Sequence, residues 1–443
     1  MKISSEEAPE AGTIDRAGFS GFQFMVVALC AIVAVLDGFD TQSIGYAAPR
    51  IAAQFGITPK DLAPILAAGL FGLAAGNFFI GPLADKFGRK RIIVLATAWF
   101  GVLALMTAFA TSLDQLKVLR FLTGIGLGAA LPNIIALTTE YAPARLRATA
   151  VMVMFCGFPL GSTIGGFISA PLMEAYGWPA VFIMGGAAPL VLLPVLLFML
   201  PESARFLAIR GAPEAKIQPL LERINPGASV AQFTADVQAE RAAAPKGFTV
   251  PQLFTHNRAA STLLLWVTFF MSLLVYYFLV TYLPTLMTAA GLAPNLGIFS
   301  VATLNLGGVV GAIVLARLLD RHSPFIVLGL TYVASAVFVV LLANGPGNIP
   351  LLFVAAALAG FCAAGGQIGS NALAAALYPT AIRSTGVGWA LGVGRIGAIL
   401  GPLVAGVLLG LNWTPQEIIQ AAAAPALAGA AAVLLLGYVR RKH

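Results

Sequence analysis

The stretch Gly81-Pro82-Leu83-Ala84-Asp85-Lys86-Phe87-Gly88-Arg89-Lys90-Arg91 separates two long apolar runs. It holds a helix-breaking pair, then an acid, then a cluster of bases. An apolar run of about 20 residues can cross a hydrocarbon core. Lys and Arg collect in the short loops that stay in the cytoplasm. The stretch therefore reads as a cytoplasmic turn between two membrane spans. Part of it returns later in the chain. Gly76 with Asp85 and Lys86 recurs as Gly311 with Asp320 and Arg321. Pro143, Arg147, Thr149, Gly161 and Gly165 recur as Pro379, Arg383, Thr385, Gly397 and Gly401. Both sets share one offset to within a residue, which chance does not supply twice. The chain is built as two similar halves in the same orientation, related by a pseudo-twofold along the membrane normal.

The remaining apolar runs fill in this plan. Expected spans are 22–44, 62–84, 91–111, 116–140, 147–172, 179–200, 259–283, 296–318, 324–343, 349–376, 384–409 and 417–438. They give a tail (1–21), a first six-helix bundle (22–200), a central polar linker (201–258), a second bundle (259–438) and a short tail (439–443). The linker carries Pro213, Pro219, Pro226 and Pro245 and an amphipathic stretch near Gln218–Ile224. The expected fold class is an all-α membrane protein of twelve transmembrane helices, with both termini cytoplasmic.

Composition agrees. Of 443 residues, 59% are hydrophobic and 10% charged, whereas soluble domains are about a quarter charged. The net charge of +8 does not point to nucleic acid, because topology accounts for it. With the N-terminus inside, only Arg50, Lys60 and Lys117 of the 26 Lys and Arg face outward, and Arg120 and Arg395 fall within spans. Cys30, Cys156 and Cys362 lie in apolar segments without metal or redox spacing, and read as small packing residues. His256 and His443 belong to loop and tail. No phosphate-binding loop or catalytic triad is present, so neither enzyme chemistry nor a cofactor or metal is expected.

The quoted stretch resembles the loop signature of the major facilitator superfamily. Arg120-x3-Gly124-x3-Gly128-x3-Pro132 in span four is similar to the superfamily's second motif. Pro201-Glu202-Ser203-Ala204-Arg205-Phe206-Leu207 resembles a motif shared by sugar, organic-cation and aromatic-acid carriers. Asp37-Gly38-Phe39-Asp40, followed by Pro49 and Gly56, resembles the aromatic-acid/proton symporter family. That likeness covers nearly the whole chain, including Trp266, Tyr378-Pro379-Thr380 and Gly392-Val393-Gly394-Arg395, and is strongest toward bacterial carriers of 4-hydroxybenzoate and protocatechuate. Gly157-Phe158-Pro159-Leu160-Gly161-Ser162 is similar to a drug-antiporter motif, but Ser162 stands where that motif has proline. The resemblance implies a proton-driven importer in a bacterial inner membrane, working by alternating access. Its partners would be an aromatic acid anion, a proton and the lipid bilayer, and the protein would be a monomer.

Charges inside spans need a reason, since each costs roughly 2.5–3.5 kcal/mol at mid-membrane. Asp37 and Asp40 are three apart on span one, and Asp40 and Arg120 have similar depths. Spans one and four both line the cavity of the implied fold, so Asp37, Asp40 and Arg120 are expected to form a proton-responsive cluster. Burial favours a neutral acid and a guanidinium favours its carboxylate, so movement could decide which form holds. A static, packing-only ion pair is the alternative. Arg395, near the midplane of span eleven, is shaped to hold a carboxylate in two hydrogen bonds; a structural pairing with helix carbonyls is the alternative.

Further pocket candidates are Phe39, Phe155, Phe158, Tyr276, Tyr277 and Trp389, with polar Asn133, Asn305, Gln367, Ser370 and Asn371. Gly81, Asp85, Gly88, Arg89, Glu140, Arg147, Glu202, Arg205, Asp320, Arg321 and Arg383 fall at inner helix ends, and are expected to form a gate that closes in one state and breaks in the other. Topological anchoring alone would place charges there too. Competing functions are a muconate-like dicarboxylate carrier, a drug antiporter, a sugar carrier and a non-transporting receptor. Ser162 disfavours the antiporter, and the lack of a Gln/Asn run in Phe269–Val280 disfavours the sugar carrier.

Overall fold

The structure is a computed structural model. It describes residues 18–243, 250–255, 258–378 and 382–441, without the side chains of Ala144, Ala148, Glu240, Arg241, Ala243, Asp320, Arg383, Ser384 and Arg441. The first part of the N-terminal tail, Pro379, Thr380, His256 and His443 lie outside the described residues.

Among the described residues 12 helices are long and apolar enough to cross a membrane. Spans one to six are Gly21–Phe55, Pro59–Phe87, Arg89–Thr107, Leu113–Tyr141, Thr149–Tyr176 and Pro179–Met199. Spans seven to twelve are Ala259–Ala289, Pro294–Leu319, Pro324–Ala343, Ile349–Leu377, Thr385–Gly410 and Pro415–Arg440. Large apolar side chains point away from the protein around the bundle, such as Phe79, Phe109 and Phe198. Water would penalise that surface and lipid does not.

Span one runs three turns beyond its expected end at residue 44. Pro49 sits inside the helix without ending it, and the stop comes at Gly56, whose φ of 63° is left-handed. Its start is fixed by a capping box between Ser20 and Gln23. The same Gln23 donates to the Tyr141 carbonyl at 2.6 Å, tying the start of span one to the end of span four.

The repeat is visible as packing. Span one lies against span five, two against four, and three against four and six; six spans later, seven lies against eleven, eight against ten, and nine against ten and twelve. Glycines set these pairs. A Cβ on Gly72 or Gly76 would fall 1.9–2.0 Å from the carbonyl oxygens of Phe121 and Ile125 on span four. Gly307 and Gly311 make the same approach to Ala357 and Phe361 on span ten. Gly161 does so at Val35 and Gly397 at Phe270. In a membrane, where apolar surface alone does not drive helices together, such close backbone contact supplies the dispersion energy of packing. The glycines that recur in the sequence are thus the ones on which the helices cross.

The two ends of the bundle can be named by Gly56 and Gly88. Contacts between the halves gather at the Gly56 face. Gly45 lies against Thr281, Gly166 against Ala302, and Gly406 against Ala63. Tyr282 donates to the Pro59 carbonyl at 2.6 Å. Arg50 donates to the Met173 carbonyl and to Asn295 Oδ1, and Asn295 in turn donates to Glu174 at 2.8 Å. Toward the Gly88 face, Gly388 and Gly392 on span eleven meet open space. Among the described residues, these close contacts between the halves thus lie at the Gly56 face.

The linker forms helices Ala204–Ile209, Glu214–Ile224 and Val230–Ala243. They share a small core of Ala208, Ile217, Leu221, Val230, Phe233 and Val237. Helix Glu214–Ile224 is the amphipathic stretch expected from sequence, with Ile217, Leu221 and Ile224 on its buried face.

The glycine crossings give a direct test. Gly161→Ala should reduce the yield of folded, monodisperse protein and lower its thermal midpoint, since overpacking costs about 1–3 kcal/mol. Gly388→Ala, at an open position, should leave both unchanged. Size-exclusion profiles and thermal unfolding in detergent compare the two; equal behaviour would contradict the crossing role.

Candidate functional site

Asp40 and Arg120 form a buried ion pair within the spans. Arg120 donates from Nη1 to Asp40 Oδ1 at 3.2 Å, and from Nη2 to Oδ2 at 2.9 Å and to the Asp40 carbonyl at 3.0 Å. Both side chains are almost wholly buried, and the guanidinium lies over the Phe182 ring. Every partner belongs to the first half. Two charges so held stabilise each other, but removing one strands the other in a low-dielectric site.

Asp37 does not join that pair. Of the expected cluster of three, only Asp40 and Arg120 are hydrogen-bonded to each other, while Asp37 lies in the field of Asp40. Asp37 Oδ1 accepts from Thr41 at 3.1 Å, while Oδ2 has no hydrogen-bond partner. Its electrostatic neighbour across the bundle is Arg395 of span eleven. Arg395 donates to the Tyr277 hydroxyl at 3.1 Å. No carboxylate among the described residues lies within ion-pairing distance of it. The open glycines, Gly388 and Gly392, occupy the same side of span eleven as Arg395. Asp37, Thr41, Tyr277 and Arg395 therefore form one polar group contributed by spans one, seven and eleven. A small cavity, lined by Thr41, Leu66, Arg120 and Thr281, lies beside it on the Gly56 side and is about the size of one water.

The other pocket candidates separate. Tyr276 packs edge-on against Tyr277 and donates to Asn305 at 2.8 Å; Asn305 also donates to the Val301 carbonyl. Phe158 and Tyr276 lie on a core shared by both halves. Gln367 on span ten is buried with neither amide atom partnered, and Asn371, one turn on, has a free Oδ1. Ala364 before them meets span eight at Gly308, and Gly366 and Ser370 meet Tyr332 of span nine. Gln367 thus occupies a third side of its helix.

Four candidates are turned elsewhere. The Phe39 ring fills the gap between Gly165 and Gly185 inside the first half. Asn133 bonds to the carbonyls of Ala129 and Gly81, serving the break where span two passes from π-helix to a 3-10 turn before Pro82. Phe155 packs on the first bundle's core. Trp389 is 40% exposed and stacks on Trp266, on the outward stripe with Ile396 and Val404 rather than with Arg395.

Of the expected gate residues, those of the first half are linked to one another by hydrogen bonds and ion pairs. Gly88, with φ 100°, starts span three, and a Cβ there would strike the Glu202 carboxylate. That carboxylate accepts from the backbone N–H of Arg89, Lys90 and Ser203, capping the helix and meeting its positive end. Arg89 reaches Asp85 at 2.8 Å and Glu140 at 3.3 Å, and the field of Arg205 also acts on Glu140. Gly81 lies against Pro132 of span four. Arg147 and Arg321 are exposed; the side chains of Asp320 and Arg383 lie outside the described residues.

Sequence reading missed Gln42 and the Arg50–Asn295–Glu174 bridge. Gln42 is 1% exposed, with both amide atoms unpartnered. An amide two residues past Asp40 in an apolar span was the available signal.

The family model described as "Major Facilitator Superfamily" matches residues 30–345 and 265–443. The chain is similar to the 4-hydroxybenzoate transporter PcaK of Pseudomonas aeruginosa, at 42% identity over 99% of each chain. It is similar also to a gallate transporter of Pseudomonas putida, at 40% identity over 96% of this chain and 94% of that one. Among solved structures, the inward open conformation of the xylose transporter XylE from E. coli has the same fold, with a TM-score of 0.74, 16% identity, and 94% and 95% of the two chains covered. The chain belongs to the Major Facilitator Superfamily and is a membrane transporter rather than an enzyme.

Proposed function

We propose that the protein imports small aromatic carboxylates of the 4-hydroxybenzoate or protocatechuate kind together with a proton. The observation that carries this reading is Arg395: a cation inside the membrane, bonded to a phenol and in the field of Asp37, with no direct counter-ion among the described residues. An unneutralised guanidinium at that depth is costly, and a carboxylate fits its two parallel donors. The relatives that transport 4-hydroxybenzoate and gallate support the choice of an aromatic acid. The concentration of Lys and Arg in loops at the Gly88 face supports placing that face in the cytoplasm.

Coupling follows from competition. An ionised Asp37 offers Arg395 the negative charge that a substrate would otherwise supply. A proton on Asp37 withdraws it and leaves Arg395 to the anion. Substrate and proton then enter together with no net charge. Once the halves part inward, loss of the proton restores the Asp37 charge and displaces the anion. Asp40 and Arg120 serve as a fixed frame for span one.

Four outcomes are expected. Asp37→Asn should keep exchange of labelled 4-hydroxybenzoate in proteoliposomes but lose accumulation driven by a proton gradient; retained accumulation would defeat the coupling role. In the wild type, apparent affinity should rise as pH falls, because the protonated Asp37 favours anion binding, and Asp37→Asn should flatten that dependence. Arg395→Lys should raise apparent KM about tenfold or more, equivalent to ~1.4 kcal/mol, through loss of the paired donors. Asp40→Asn should differ in kind. It strands Arg120, at a cost of roughly 3–5 kcal/mol, and should show first as a lower thermal midpoint.

A further inference from the structure

Gln42 is a buried amide with nothing to bond to. Neither Nε2 nor Oε1 has a partner, and the residue is 1% exposed. A primary amide carries two donors and an acceptor, and buried polar groups are nearly always satisfied. A side chain left bare on both atoms marks a place for a group that arrives from outside the protein.

Its helical neighbours give its direction. Gly38, one turn before, lies against Phe158 of span five. Tyr46, one turn after, donates to the Ser162 carbonyl of span five at 2.7 Å. Gly45 meets Thr281 of span seven. Gln42 therefore points where spans five and seven converge, on the side of span one away from Arg120. Span eight closes that space, with Ala302 against Gly166 and Asn305 holding the Tyr276 hydroxyl. In this layer Asn305 and Tyr276 have satisfied each other, and Gln42 has not been satisfied.

The layer has a definite height above Arg395. Gly45 beside Thr281 puts Gln42 level with Phe278, and Phe278 packs on Gly401 of span eleven. Arg395 lies under two turns nearer the Gly88 face, roughly 9 Å at about 1.5 Å per residue. A benzene ring with substituents at opposite corners, plus a hydrogen bond at each end, fits that separation.

We infer that Gln42 recognises a hydroxyl at the far end of an aromatic acid whose carboxylate is held by Arg395. The inference rests on the reading of the protein as an aromatic-acid carrier. The phenol O–H would donate to Oε1 and its oxygen would accept from Nε2, so one substituent satisfies both atoms. Unsubstituted benzoate would leave the amide bare. A site built to bond a hydroxyl rejects the analogue that lacks it far more strongly than an apolar pocket rejects a missing methylene. Gln42 is thus a specificity residue that faces the ring, distinct from the group that binds its charge.

The test is the ratio of affinities for 4-hydroxybenzoate and benzoate, measured by direct binding to purified protein for wild type, Gln42→Leu and Gln42→Asn. Wild type should prefer 4-hydroxybenzoate by at least ~10-fold, and Gln42→Leu should bring the ratio close to one. If Gln42→Leu is not recovered folded, Gln42→Asn, one methylene shorter, decides by the same ratio. A wild type without preference, or a variant that keeps it, overturns the inference alone. A wild type that binds neither acid overturns the aromatic-acid reading and the inference with it.

Discussion

A guanidinium inside a membrane must be neutralised, and Arg395 is not neutralised by any near carboxylate of the described residues. Most of the site's arrangement can be understood from that constraint. Tyr277 gives it a neutral partner and Asp37 gives it a field without contact. Both are placed by close helix crossings, span eleven on seven through Gly397 and Gly401, and span one on five through Gly38 and Gly161. A shift of either crossing would change how much of the Asp37 charge Arg395 feels. The site draws residues from both halves, so movement of the halves acts on this electrostatic balance.

The two intramembrane acids show why composition alone does not assign roles. Asp37 and Asp40 are neighbours in sequence and equally buried. One is locked to Arg120 by three hydrogen bonds; the other keeps an oxygen free.

The fold was largely legible in the sequence because its causes are local. Apolar runs of membrane length, loop charges and recurring glycines each act through short-range physics, and the glycines proved to be the contact points themselves. The site was legible in parts. Depth along a helix can be counted, so the sequence already places Asp37, Asp40, Arg120 and Arg395 inside spans, where the structure also has them. Azimuth cannot be counted without the neighbouring helices. For that reason the hydrogen-bond partner of Asp37, the seat of the Phe39 ring inside the first half and the bare amide of Gln42 are not legible in the sequence. The inner charges are expected to form a gate, and the structure shows Glu202 capping span three.

The linker's attachments carry one more consequence. Its opening residues belong mechanically to the first half: Glu202 caps span three, Arg210 bonds to the Lys86 carbonyl, and Arg223 lies over the Phe22 ring. Leu253 belongs to the second half, in the core of spans seven and ten, with its carbonyl bonded to Thr262. The handover falls between residues 243 and 250, and what joins the bundles elsewhere is the noncovalent seam at the Gly56 face. Two polypeptides made separately, divided within that interval, each carry a complete bundle and their share of the seam. Reassembly of such a split transporter would draw on surface chemistry the halves already possess.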